Sequence, residues 1–390
     1  MVRGGMAVLW TILSVKSASA WDIFCRVIDN FGDIGVCWRL AADLAARAHQ
    51  VRLWVDDPDA LQWMAPGALA GSWPGVTVLP WAKSSDHQFL HTLQRSDVVL
   101  EGFGCAIEAA FLEWHFAGVD PQSLMPRWIN LEYLSAQAYA EQSHRLPSPV
   151  QFGPAKGHTR HFFFPGFSPR SGGLLREENL LARQAAFDRW AWLAQHGVSN
   201  SGATIVSLFC YEPLALAALL DRLQRGPAPV QLLATSGRAA AAVREWQKVA
   251  ARSPDPARHA RFGSLSLVFL PALTQEDYDH LLWSCDLNFV RGEDSLVRAI
   301  WAGKPFVWQI YAQHDAAHLA KMRAVLDALN APRSWRQFHR AWNDDAGTLP
   351  SWDRARWAAA AMDARRMLLA QDDLTTRLLA FAANPTPSGN

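Results

Sequence analysis

The sequence predicts an α/β fold of two Rossmann-like domains facing each other across a cleft. Three observations lead there. Short β-rich runs alternate with helical stretches along both halves of the chain, the pattern of parallel sheets covered on both faces. A Pro-, Gly- and Ser-dense stretch from Leu146 to Gly173, "LPSPVQFGPAKGHTRHFFFPGFSPRSGG", separates the halves. The chain has 390 residues, half of them hydrophobic, and that length suits two ordinary cores.

In the first half the strand "WDIFCRVI" leads into the helix "IGVCWRLAADLAARA". "QVRLWV", a small helix near "PDALQWMA", "VTVLPW", "SDVVLEGF", the helix "CAIEAAFLEW" and "RWINLEYL" follow. The second half repeats the alternation with "ATIVSLFCYE", "PLALAALLDRLQ", "PVQLLAT", "GRAAAAVREWQKVA", "LSLVFLP", "TQEDYDHLLWSC", "DLNFVRG", "SLVRAIWAG" and "PFVWQIY". The expected boundaries are an extension over 1–20, a first domain over 21–150, a connection over 151–173, a second domain over 174–355 and a helical segment over 356–383. "VRLWVDD" suits a second Rossmann strand, but no G-x-G-x-x-G precedes it, which argues against a dinucleotide oxidoreductase.

The first twenty residues, "MVRGGMAVLWTILSVKSASA", imitate a secretory leader, which would suit an exported sugar-binding protein. Lys16 interrupts the cleavage region, and the five cysteines are scattered and odd in number, which suits a reducing cytosol. The extension therefore reads as a start upstream of the natural one. Thirty-seven basic residues against thirty-six acidic ones give no global field for nucleic acid or an anionic membrane. No later apolar stretch is long enough to span a bilayer. Cys25 and Cys37 read as buried thiols, and several of the nineteen tryptophans as core fillers.

Two motifs carry chemistry. The first, "DNFGDIG" (Asp29–Gly35), joins a strand to a helix as a nucleotide loop does, yet Asp29 and Asp33 would repel a pyrophosphate. Locally, Asp33 suits a helix cap and Asp29 an Asx turn. The functional alternative is a carboxylate pair presented to a cationic or hydroxylic acceptor, with Gly32 and Gly35 allowing close approach. The second is "DLNFVRGEDSLVRAIWAGKPFVWQIYAQHD". Here a strand leads into a helix expected to start near Asp294 or Ser295 as N-cap, with Arg298 on the next turn. Its free N–H groups, the Ser295 hydroxyl and Arg291 suit a diphosphate, and Glu293 suits sugar hydroxyls. "AGKP" should end that helix at the glycine. Phe209 and Tyr211 end one strand of the same domain, while Gln275 and Tyr278 open a helix after another. Ligands of open parallel sheets gather at such strand ends. His158 and His161 in "GHTRH" lack companion ligands, so no metal is expected.

Together, "WDIFCRVIDNFGDIGVCWRLA" and "FVRGEDSLVRAIWAGKPFVWQIY" resemble the elongation factor P arginine rhamnosyltransferases, cytoplasmic bacterial enzymes of the GT-B glycosyltransferase fold. The similarity runs from Trp21 to the C-terminal helix. It implies an inverting transferase that moves L-rhamnose from dTDP-β-L-rhamnose to an arginine of elongation factor P, with no cofactor or metal, no nucleic acid and no membrane. It implies Asp33 as general base with Asp29 beside it and Glu293 as a further catalytic group. Asn30, Phe31, Gly32, Phe209, Tyr211, Gln275, Tyr278, Arg291, Glu293, Asp294 and Ser295 would surround the nucleotide sugar. The alternative is a GT-B enzyme using another nucleotide sugar or a small-molecule acceptor.

Overall fold

The computed structural model describes residues 18–28, 31–123, 126–251, 259–311, 317–344 and 348–383. Two open sheets organise it. The first contains β1 (Ala20–Cys25), β2 (Gln50–Val55), β3 (Val76–Pro80), β4 (Val98–Gly102), β5 (Arg127–Leu131), β6 (Pro147–Pro149) and β7 (Thr159–Phe163), in the order β3-β2-β1-β4-β5-β7-β6. The second contains β8 (Thr204–Leu208), β9 (Val230–Ala234), β10 (His259–Phe262), β11 (Leu265–Phe269), β12 (Leu287–Arg291) and β13 (Phe306–Gln309), in the order β10-β11-β9-β8-β12-β13. Pairing is parallel except for β6 on β7 and β10 on β11.

The central strands read as near-continuous apolar runs because helices cover both faces. Ile23, Phe24 and Cys25 of β1 are fully buried. Asp22 in the same strand is tolerated there because Arg52 grips it through Nε at 2.7 Å and Nη2 at 2.6 Å, and Trp54 Nε1 donates to it at 2.7 Å. Chain order reverses between β1 and β4 in the first sheet and between β8 and β12 in the second. Such switch points open a crevice at the carboxyl ends of the strands. The helices Gly32–Ala46, after β1, and Gly292–Ala302, after β12, start there.

Several expectations need correction. β1 begins at Ala20, and the Ser19 hydroxyl already bonds His49 Nδ1 at 2.8 Å, so the fold starts inside the expected extension. The stretch expected as a connection contains β7, paired to β5. It reads as loop because this strand lies near the sheet edge and carries Arg160, whose guanidinium reaches Glu101 on β4 at 2.9 Å. The expected C-terminal helical segment is two helices with different homes. Arg354–Leu369 packs on the second lobe through Trp357, Ala361 and Leu368. The chain then crosses back, and Leu374–Ala383 inserts Leu374, Leu378 and Phe381 into the core of the first lobe. Cys25 and Cys37 are buried as expected, and Cys105, Cys210 and Cys285 are free and buried as well. Trp21, Trp54, Trp308, Trp335, Trp342 and Trp357 are among the largest fully buried side chains.

Candidate active site

The cleft is built around the two strand–helix corners. After β1 the helix begins at Gly32, with Phe31 at the cap position and no side-chain cap. Asp33 is therefore not the N-cap. Its Oδ2 accepts the Ile28 N–H at 2.9 Å, and although 2% exposed it lines a cavity between the lobes. Asp29 and Asn30 lie outside the described residues.

After β12 the helix starts at Gly292, earlier than expected. Gly292 adopts φ +67°, a left-handed conformation that a Cβ would penalise, and this turns the chain sharply. Neither Asp294 nor Ser295 caps the helix; Arg291 occupies the cap position. The Ser295 hydroxyl folds back instead, accepting the Arg291 N–H at 3.1 Å and donating to the Arg291 carbonyl. The helix ends at Gly303 with φ +66°, as "AGKP" predicts.

A cavity of about 240 Å³ lies against the carboxyl ends of β8, β9, β11 and β12. Phe209, Tyr211, Gln275, Tyr278, Arg291, Glu293, Asp294 and Ser295 all line it, with Phe31 and Gly32 from the opposite lobe. The Arg291 guanidinium sits 4.5 Å from the Phe209 ring centre and 4.6 Å from that of Tyr211, and Nη1 donates to the Cys210 carbonyl at 3.4 Å. Tyr211 is held by its N–H donating to Gln309 Oε1 at 2.8 Å. The Tyr278 ring meets Phe209 edge-on at 5.4 Å, and burial pushes its phenol well above the usual range. Gln275 does not face the cavity freely: its Nε2 donates across the cleft to the Gly35 carbonyl at 2.9 Å. Trp63 and Met64 of the first lobe and Thr235, Ser236 and Gly237 after β9 also line this cavity, and sequence reasoning did not single them out. The strand "PVQLLAT" running straight into Ser-Gly was the available signal. Flat rings, hydroxyls, the guanidiniums of Arg39 and Arg291 and a helix N-terminus together suit a base, a ribose and a diphosphate.

A second cavity of about 270 Å³ abuts the first, and Gly32, Gly292, Glu293 and Asp294 line both. Asp33 belongs to this one, facing Tyr133, Trp308, Tyr311, His318 and Lys321. Glu293 closes one side: its Oε2 accepts the Leu134 N–H at 2.7 Å and its Oε1 pairs with Lys321. Phe103 stacks on Tyr133 at 4.6 Å and holds φ +56°, an uncommon conformation for a bulky residue. Rings beside carboxylates form a receptor suited to a planar cation. Lys321, His318 and the ring pair carried no motif in the sequence.

Arg298, on the next turn of the helix, is buried beneath the corner, donating to Asp279 and Glu177. Asp294 reaches Arg39, a residue the sequence did not single out, at 3.4 Å. Burial raises the Asp294 pKa, with Arg39 and Arg298 opposing. His158 and His161 pack against the rings of Phe116 and Phe381. Among the described residues, no group of three or more His, Cys, Asp or Glu side chains is arranged to hold a metal, and no helix is long and apolar enough to cross a membrane.

Two Rossmann-like lobes with a cavity at the strand ends of the second give the architecture of a GT-B glycosyltransferase. MurG of Acinetobacter baumannii shares the fold at 14% identity and TM-score 0.50, covering 94% of this chain and 99% of that one. A family model described as "Elongation-Factor P (EF-P) rhamnosyltransferase EarP" matches residues 21–383. A protein-arginine rhamnosyltransferase of Pseudomonas putida is 41% identical over 388 residues, covering 94% of this chain and 99% of that protein. A solved structure described as "Structural basis for EarP-mediated arginine glycosylation of translation elongation factor EF-P" aligns at TM-score 0.64 and 32% identity, covering 94% of this chain and 100% of that one. The chain belongs to the EarP family of EF-P rhamnosyltransferases.

Proposed function

We propose that this protein transfers L-rhamnose from dTDP-β-L-rhamnose to an arginine side chain of elongation factor P, in the cytoplasm and with inversion at the anomeric carbon. The observation that carries the reading is the shared wall of the two cavities. Glu293 belongs to both, and Asp33 borders the second beside the point where they meet. A nucleotide sugar in the first cavity presents its anomeric carbon toward that wall, and a guanidinium in the second approaches from the opposite side.

A guanidinium has a pKa above about 12 and is not nucleophilic while protonated. Removing the proton beforehand is costly, so the reading has Asp33 accept it as nitrogen attacks. Bidentate pairing with a carboxylate also orients the planar group. On the far side, Arg291 and the N–H groups opening the Gly292–Ala302 helix offset charge developing on the departing diphosphate. The scheme assigns no step to a metal or cofactor. One displacement with base and leaving group on opposite faces gives inversion.

A protein acceptor suits the mouth of the second cavity, where Ile28, Tyr133 and Tyr311 are exposed large hydrophobic side chains. The relatives named above supply the acceptor and the sugar. The test is mass spectrometry of elongation factor P after incubation with enzyme and dTDP-β-L-rhamnose. A deoxyhexose on one arginine is expected. An unmodified factor, or equal transfer from an unrelated nucleotide sugar, contradicts the reading.

A further inference from the structure

Beside the Gln275–Gly35 contact, a buried arginine ties the lobes together. Arg39 lies on the first-lobe helix Gly32–Ala46 and enters a cage of carboxylates belonging to the other side of the cleft. Its Nη1 donates to Glu177 at 3.0 Å, and its Nη2 donates to Asp279 at 3.2 Å and to the Gln275 carbonyl at 3.1 Å. Arg298 grips the same two acids, Glu177 at 2.7 Å and Asp279 at 2.8 and 2.6 Å. Arg39, Asp279, Arg298 and Glu177 thus form a closed ring of alternating charge. Burial works against the charge on Glu177, yet Arg298 and Arg39 together hold its carboxyl at about 2.

Only Arg39 comes from the first lobe. Asp279, Arg298 and Asp294 lie on second-lobe helices, and Glu177 lies between the two sheets in sequence. Withdrawing Arg39 leaves three carboxylates with Arg298 and a 3.5 Å contact from Arg183, and strands a guanidinium on the other side. An ion pair this deeply buried is strongly disfavoured once one partner leaves. The lock also sets the depth of the active-site corner. Gly35 lies two residues beyond Asp33, and a Cβ there would meet Gln275 Nε2 at 3.4 Å and Asp294 Oδ2 at 3.6 Å.

We propose that Arg39 is a positioning residue for the transfer: by plugging the cage of Glu177, Asp279 and Asp294, it holds the lobes in the register where the donor and acceptor cavities abut. This goes beyond the proposed reaction and holds whichever sugar or acceptor is used. Charge alone is not sufficient, because the fork of Arg39 serves Glu177, Asp279 and the Gln275 carbonyl at once.

The test measures interlobe distance in the full-length protein by pulsed electron resonance. Spin labels go on Ser72→Cys and Asn200→Cys, both exposed, while the five native cysteines are buried. A single narrow distance is expected with Arg39 intact. In Arg39→Met the distribution should lengthen and broaden, and saturating dTDP-β-L-rhamnose should return it toward the parent. Arg39 also lines the first cavity, so the KM for that donor should rise about tenfold or more, with Arg39→Lys recovering part of the loss, and the distance distribution separates positioning from contact with the donor. A parent-like distribution in Arg39→Met, or a KM within twofold, overturns the proposal. If Arg39→Met does not fold, Glu177→Gln is read by the same criteria. The comparison of the parent and Arg39→Met distributions without donor needs no substrate. A parent enzyme that modifies nothing therefore overturns the proposed reaction alone, and an unchanged distance overturns this inference alone.

Discussion

Where the helix after β1 begins the chain runs Phe31-Gly32-Asp33, and at the end of β12 it runs Arg291-Gly292-Glu293-Asp294. Both corners pass through glycine into a helix with acid in its first turn, where the helix dipole favours negative charge. From there they diverge. At the first corner, Asp33 takes a main-chain N–H of its own loop and borders the second cavity. At the second, the acids bind cations delivered from elsewhere, Glu293 from Lys321 and Asp294 from Arg39. Arg291, resting on the Phe209 and Tyr211 rings, lines the first cavity together with Arg39. A shared local pattern thus yields an acidic face at one corner and a cationic face at the other, and tertiary partners decide which.

This contrast yields graded expectations. Asp33→Asn should lower kcat for arginine modification by about 10²- to 10⁴-fold, the usual weight of a general base, measured at saturating donor and acceptor. Arg291→Met removes a guanidinium that rests on two rings, and donor affinity by calorimetry should fall about 10- to 100-fold. Equal donor affinity would make the second corner as acidic in function as the first. Glu293→Ala leaves the Leu134 N–H and Lys321 without their carboxylate. It should cost about 1–3 kcal/mol of stability, read by denaturant unfolding.

The smallest effect concerns pH. The folded value of Glu177, about 2, lies below that of an unfolded glutamate, about 4.3. Its stabilisation is therefore fully present above about 4.3 and is lost as pH falls through about 2. The melting-temperature gap between the parent and Glu177→Gln should stay level from pH 7 to 5 and shrink below that. A gap that widens on acidification contradicts the assignment.

The sequence made both corners legible because strand-to-helix transitions with glycine and charge are local signals. Phe209, Tyr211, Tyr278 and Arg291 were found because strand ends of a parallel sheet converge on one cavity. What stayed hidden depends on pairing over long separations. Arg39 is 138 residues from Glu177 and 240 from Asp279. Nothing near "VCWRLAAD" marks that arginine as a plug for another domain. Gln275 was expected around the nucleotide sugar, and its tie to the Gly35 carbonyl appears only once the lobes are assembled. β7 was missed for a different reason: a strand one place in from the sheet edge, with polar positions between Pro- and Gly-rich turns, lacks the continuous apolar run of a central strand.

The division between the corners is tested most directly by measuring donor affinity and single-turnover transfer from bound donor in Asp33→Asn and Arg291→Met side by side. The account expects a crossed result: Asp33→Asn binds dTDP-β-L-rhamnose within twofold of the parent but barely transfers it, and Arg291→Met loses more affinity than chemistry. Undiminished transfer by Asp33→Asn, or loss of donor binding in that variant, contradicts it.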